Sequence, residues 1–234
     1  MKQRIVAISD THSKHGQIGT KWPMIEKNEM NANIIVHSGD ISTRGYNHEI
    51  LNFLTWFHAL PYDHKIFVAG NHDFGLEQDY DYWIAEIIEN FPSITYLQDS
   101  GRTINGIKFW GSPQTPYFHN WAFNRQRGEE IKQYWNLIPD DVDYLITHGP
   151  AKGVGDWFVY TNEEVGCDDL QTAIHRVKPI VHQYGHIHCS YGTAKMFDTY
   201  SINACTCDES YSITQKPIVF DIDTEEKSIN YLDY

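Results

Sequence analysis

Eight residues spread along the chain could share one piece of chemistry: Asp10, His12, Asp40, Asn71, His72, His148, His186 and His188. They offer two carboxylates, one amide oxygen and five imidazoles, a mixed nitrogen and oxygen set. Such a set suits borderline first-row dications, Mn²⁺, Fe or Zn²⁺, better than Ca²⁺ or a thiolate-loving metal. In Asp10-x-His12 and His186-x-His188 the side chains stand two residues apart, so extended backbone would turn both toward one centre. The set is large enough for two ions if one carboxylate bridges them. Two dications about 3.5–4 Å apart clamp a phosphate, activate a water and stabilise both attacking and leaving oxygens. The chemistry implied is phosphoester hydrolysis. A single histidine after a Gly-Asn turn would mean little by itself. Five separate strand-end blocks carrying Asp or His are what give the reading its weight.

Those residues need elements to bring them together. Residues 4–8 read as a buried strand delivering Asp10 and His12, and 34–37 as one ending at Asp40. Residues 65–69 form a third, running into Gly70-Asn71-His72-Asp73, where Gly70 would let the backbone turn. Residues 142–147 lead to His148, and 180–184 to His186 and His188. Between them the apolar spacing predicts helices over 47–59, 79–90, 129–136 and 167–177. The helix over 79–90 is expected to turn Trp83, Ile84, Ile87 and Ile88 inward. Residues 13–33 are polar and read as loop with room for one helical turn. From Ile94 onward short strands predominate, with Asn105-Gly106 a strong hairpin signal. The strand-loop-helix repeat of the first part suggests an α/β sheet with ligands gathered at strand ends. No repeat, low-complexity stretch or linker interrupts it, so one domain is expected over 1–234.

The bulk composition, 41% hydrophobic and 21% charged over 234 residues, is that of a soluble globular protein with a real core. A formal charge of −13 would repel a long polyanion, which disfavours a nucleic-acid partner. No apolar run approaches the ~18 residues of a membrane span, and the start of the chain is a strand rather than a leader. A cytoplasmic protein without membrane association is expected. Cys167, Cys189, Cys205 and Cys207 are too few for a disulfide scaffold, and the Cys205-x-Cys207 pair reads as structural.

The blocks D-x-H, G-D, G-N-H-D, H-G and G-H-x-H, in that order, resemble those of the calcineurin-like metallophosphoesterase superfamily. Gly111-Ser112-Pro113, Trp121-Ala122-Phe123-Asn124, Trp135-Asn136-Leu137-Ile138-Pro139, Thr147-His148-Gly149-Pro150 and Gly166-Cys167 are similar to its metallophosphoesterase-domain branch, related to class III cyclic nucleotide phosphodiesterases. The resemblance runs over residues 5–221. It implies a four-layer αββα sandwich, two mixed sheets flanked by helices, with a dimetal site at the sheet ends. It also implies that Asp10, His12 and His188 hold one metal, that Asn71, His148 and His186 hold the other, and that Asp40 bridges. His72 would face the scissile phosphate as transition-state stabiliser or proton donor. Asp73, where close relatives often carry Glu, would orient His72. The activity implied is that of a dimetal phosphodiesterase acting on small phosphodiesters, cyclic nucleotides among the candidates. A phosphomonoesterase, a nucleotide pyrophosphatase and a non-catalytic scaffold stay as alternatives. Mn²⁺ and Fe are the leading metals, Zn²⁺ the next, and a homodimer is left open.

Two further residues are candidates for substrate contact. Arg44, four residues past Asp40, could reach a phosphate as a bidentate donor. His119 sits in an aromatic loop and could line a nucleotide pocket. Around it, Tyr117 to Phe123 could stack a base, although packing over the core is the expected role of Trp121 and Phe123. His37 is expected in the core or behind the site, and His15, His48, His58, His64, His175 and His182 on surfaces or helix faces.

Overall fold

The computed structural model describes residues 2–233. Two six-stranded sheets form its centre. In the first, Lys2–Ile8, Ile34–His37, His64–Phe67 and Ile94–Tyr96 lie side by side in parallel. Ile218–Asp223 and Ser228–Leu232 extend that sheet antiparallel at its far edge. The second runs in the order Gly192–Met196, Thr199–Asn203, Val181–Tyr184, Tyr144–Thr147, Ile107–Ser112, Ser100–Ile104. Its three central pairings are parallel and its two edge pairings antiparallel. Both sheets are therefore mixed, as expected.

The strands are apolar on both faces because each sheet is covered twice. Ile5, Ala7, Ile34, Val36, Ile66 and Val68 point from the first sheet into a core shared with Phe109, Tyr144, Ile146, Val181 and Ile202 of the second. Their alternates, Val6, Ile8, Ile35 and Phe67, point outward onto helices. Asn47–Ala59 covers that face with Ile50, Phe53, Leu54 and Phe57, and Tyr80–Asn90 with Trp83 and Ile87. Glu129–Trp135 and Asp168–Val177 cover the other side, packing with Leu145 of the second sheet. Helix, sheet, sheet, helix is the four-layer αββα arrangement.

Three details differ from the sequence-based expectation. Ile88 is 70% exposed, because the buried stripe of Tyr80–Asn90 follows Trp83 and Ile87, and the next residue turns outward. Residues 13–33 hold two short helices, Gly16–Lys21 and Pro23–Lys27, each burying a single isoleucine, Ile18 or Ile25. One apolar contact per helix leaves no periodicity to detect. Ser228–Leu232 lies beyond the strands foreseen. No helix among the described residues is long and apolar enough to cross a membrane.

Candidate metal centre and cleft

All five blocks lie just beyond the C-terminal ends of parallel strands, where the backbone leaves the sheet abruptly. Asp10, His12, Asp40 and His186 have φ of 53°, 42°, 55° and 68°, left-handed values that cost a non-glycine residue about 1–3 kcal/mol. Tertiary hydrogen bonds hold them there. The amide of Asp10 donates to Gly39 O at 2.9 Å and that of His12 to Asp40 O at 3.0 Å. The amide of His72 donates to Asp40 Oδ1 at 2.9 Å, and that of His186 lies 3.1 Å from both Asp10 oxygens. Gly70 serves this packing through its size: a Cβ there would collide with the Asp40 carboxylate. Its φ is not positive, so close approach, and not the sharp turn expected, is what requires glycine.

The side chains gather into two groups that share Asp40. In the first, His188 Nε2 lies 3.2 Å from Asp10 Oδ1 and 3.3 Å from His12 Nε2, which is 3.7 Å from Asp40 Oδ2. In the second, His148 Nε2 lies 2.9 Å from Asn71 Oδ1 and 3.4 Å from Asp40 Oδ1. His186 joins Asp40 and His148 with ligand atoms all within 4.8 Å. Each Asp40 oxygen thus faces a different group. Behind them, His148 Nδ1 meets Ser38 O at 3.0 Å and His188 Nδ1 meets Asp208 O at 2.9 Å. Donation of those Nδ1–H groups turns both Nε2 atoms into the site, the orientation that cation ligands require. His72 Nε2 also stands close, 4.0 Å from Asp40 Oδ2.

The electrostatics favour cations. Burial alone would raise Asp10 and Asp40, but neighbouring imidazoles, His188 at Asp10 and His148 at Asp40, hold both below the usual carboxylate range. Burial pushes His12 down to about 4 and His186 to about 3, which keeps them neutral with free lone pairs. At His148 burial acts downward too, yet the Asp40 carboxylate outweighs it and raises the group to about 9. Two ionised carboxylates, an amide oxygen and inward-facing imidazoles around two centres fit a pair of borderline dications.

The family model for calcineurin-like phosphoesterases matches residues 3–190. The chain belongs to the calcineurin-like phosphoesterase family. It is 36% identical to human metallophosphoesterase domain-containing protein 1, over 96% of this chain and 72% of that protein. It is 34% identical to the Caenorhabditis elegans UPF0046 protein C25E10.12, over 94% of this chain and 81% of the relative. The fold is shared with TT1561 of Thermus thermophilus, with a TM-score of 0.67, 12% identity and coverage of 100% and 99% of the two chains. It is also shared with a structure described as a novel archaeal phosphodiesterase, with a TM-score of 0.50, 18% identity and 98% of each chain covered. The family typically uses a dinuclear metal centre, and the clustered Asp and His residues of this chain are able to bind metal.

Asp73 does not orient the His72 ring as expected. Its carboxylate accepts the amides of Gly70, Ser42 and Ile41 at 2.8, 3.0 and 3.2 Å and the Ser42 hydroxyl at 2.6 Å. It ties the loop after Asp40 to the loop of Asn71. The His72 ring is held elsewhere, with Nδ1 donating to Thr43 O at 2.8 Å. Thr43 is placed in turn by Glu49, whose carboxylate accepts the amides of Thr43, Arg44 and Tyr46 at the start of Asn47–Ala59.

The cleft above the metal centre has a volume of about 520 Å³. Its floor is candidate ligand side chains, among them His12, Asp40, Asn71, His186 and His188, and its walls include Tyr117, Phe118, Trp121, Phe158, Tyr160 and Tyr211. His119 lines it. Arg44 does not: its guanidinium lies over Trp121, 5.3 Å from the ring centroid. Trp121 itself stacks on His72 with centroids 4.3 Å apart and planes at 30°. Phe123 alone of that aromatic pair is core. Tyr211 packs edge-on to His12 at 4.7 Å.

His37 is buried as expected, with Nε2 3.0 Å from Thr11 Oγ1. His15 and His182 are buried too, against expectation. His15 bonds Asn52 at 2.7 Å and His182 bonds Thr147 at 2.8 Å, which supplies the polar partner that a buried imidazole needs. Cys207 is a core residue, while Cys205 reaches Asp10.

Proposed function

We propose that the protein hydrolyses small phosphodiesters, nucleotide diesters among them, using two divalent transition-metal ions. The observation that carries this reading is Asp40, whose two oxygens face two different ligand groups beneath one cleft. Asp10, His12 and His188 would hold one ion, Asn71, His148 and His186 the other. When bound, such a pair supplies Lewis acidity to phosphoryl oxygens and makes water nucleophilic at neutral pH.

The chain's own groups do the rest. With Nδ1–H donated to Thr43 O, the free Nε2 of His72 is the atom that can meet substrate, and the imidazolium form can hand a proton to the departing oxygen. The Trp121 ring limits its swing. The aromatic walls exclude water and offer π-faces for a base, in a volume suited to a ligand of nucleotide size. Glu163 and Glu209 add negative charge to those walls, and the guanidinium of Arg127 is engaged by the carbonyls of Val165 and Gly166. A diester, with a single negative charge, is repelled less there than a dianionic monoester.

The test is turnover by Mn²⁺-reconstituted protein on bis(p-nitrophenyl) phosphate beside p-nitrophenyl phosphate. Faster diester hydrolysis, abolished by chelator, is expected. Preference for the monoester would move the assignment to a phosphomonoesterase, and no turnover of either would contradict it.

A further inference from the structure

The two oxygens of Asp10 keep different company. Oδ1 faces His188 Nε2 at 3.2 Å, whereas Oδ2 receives the thiol of Cys205 at 3.2 Å. Cys205 is fully buried, and main-chain contacts place it. It bridges Ser9 in parallel, and the amide and hydroxyl of Thr206 bond Ser9 O at 2.9 and 2.7 Å. Its own amide donates to Asn203 Oδ1 at 3.1 Å. The chain leaving Thr199–Asn203 of the second sheet is thereby stitched alongside the residue before Asp10, at the end of the first sheet.

We propose that Cys205 is a positioning residue, whose S–H holds the Asp10 carboxylate turned so that Oδ1 faces the cation site shared with His12 and His188. The inference rests on the dimetal reading above and concerns how tightly one of the two ions is held. An aspartate carboxyl rotates over a broad, two-fold torsional well, so only its surroundings define its angle. Gly185 packs against Oδ2, where a Cβ would collide; the His186 amide lies 3.1 Å from both oxygens and so cannot choose between them, whereas the Cys205 thiol donates to Oδ2 alone. A thiol is a weak, uncharged donor. It orients the carboxylate and leaves its charge for the cation, where an arginine or lysine would compete. Sulfur is absent from the ligand groups, so Cys205 acts through Asp10.

Titration of the metal-free protein with Mn²⁺ separates the possibilities. Wild type should take two ions in resolvable steps. Cys205→Ala should weaken one step by about 10–100-fold, the usual cost of losing such a supporting partner, and leave the other within about twofold. Cys205→Ser leaves nearly the same space as Ala but restores a donor, so it should stay within a few-fold of wild type. Wild-type affinity in Cys205→Ala overturns the proposal, and so does equal weakening in both variants, which would mean packing alone. Wild type binding fewer than two ions would overturn the dimetal reading itself, and this proposal with it. A measurement with Cys205 intact guards against variants that fold poorly. In Co²⁺-loaded protein carrying Cys189→Ser, no thiolate-to-cobalt charge-transfer band is expected, and its presence would make Cys205 a ligand.

Discussion

Asp73→Ala should destabilise the metal-free protein far more than His72→Ala, although the two residues are neighbours. The substitution strands the buried amides of Ile41, Ser42 and Gly70, which now donate to the carboxylate at 3.2, 3.0 and 2.8 Å. A buried donor left unpaired costs about 1–3 kcal/mol, so three that partly relax cost about 3–6 kcal/mol together. At about 2–4 °C per kcal/mol for a chain of this size, the melting temperature falls by about 6–24 °C. His72→Ala removes one ring bond at the cleft floor and should shift it by no more than about 4 °C. Asp73→Asn keeps one acceptor and turns an NH₂ toward other N–H groups, so it should fall between Ala and wild type. Thermal unfolding followed by circular dichroism at pH 8 is the assay. That pH keeps the carboxyl ionised, since burial and then the nearby Asp40 raise it to about 6. Melting of Asp73→Ala within about 3 °C of wild type would refute the anchoring role.

Three further outcomes follow from the same geometry. His72→Ala should retain both ions while kcat drops about 10²–10⁴-fold, more on a nucleotide diester than on a nitrophenyl diester, whose leaving group departs unaided; loss of an ion would make His72 a ligand. Trp121→Ala removes a ring stacked on His72, a contact of about 0.5–1.5 kcal/mol, so kcat should fall roughly two- to tenfold even on substrates without a base. An effect confined to KM for nucleotides would assign Trp121 to the base instead. Because Asp40 raises His148 from the usual 6.5 to about 9, the metal-free protein carries that proton at pH 7 and metal must displace it. Apparent affinity should therefore climb as pH rises toward 9, with proton release seen by calorimetry in buffers of different ionisation heat; heats independent of buffer would contradict this.

The residues gathered at the candidate centre were legible because the chemistry proposed for them constrains both type and place. Asp10, Asp40, Asn71, His148 and His186 each follow an apolar run, and a covered parallel strand has to read that way. What escaped depends on contacts between distant segments. Cys205 meets Asp10 across 195 positions, and no local pattern marks a thiol as a partner. His182 occupies a strand position that looks polar until Thr147 pairs with it. The resemblance makes Asp73 the companion of His72, yet a strand-end loop turns successive side chains different ways. Trp121 belongs to a loop that folds back, its neighbour Ala122 donating to Asn71 O at 3.1 Å, and this sets its ring on the imidazole.

The central claim is that Asp40 joins two cation sites. Anomalous diffraction from crystals of Mn²⁺-reconstituted protein tests it most directly. Two peaks are predicted, about 3.5–4 Å apart on either side of the Asp40 carboxylate. One should lie among Asp10, His12 and His188, the other among Asn71, His148 and His186. A single peak, or two that leave Asp40 unligated, would contradict the account.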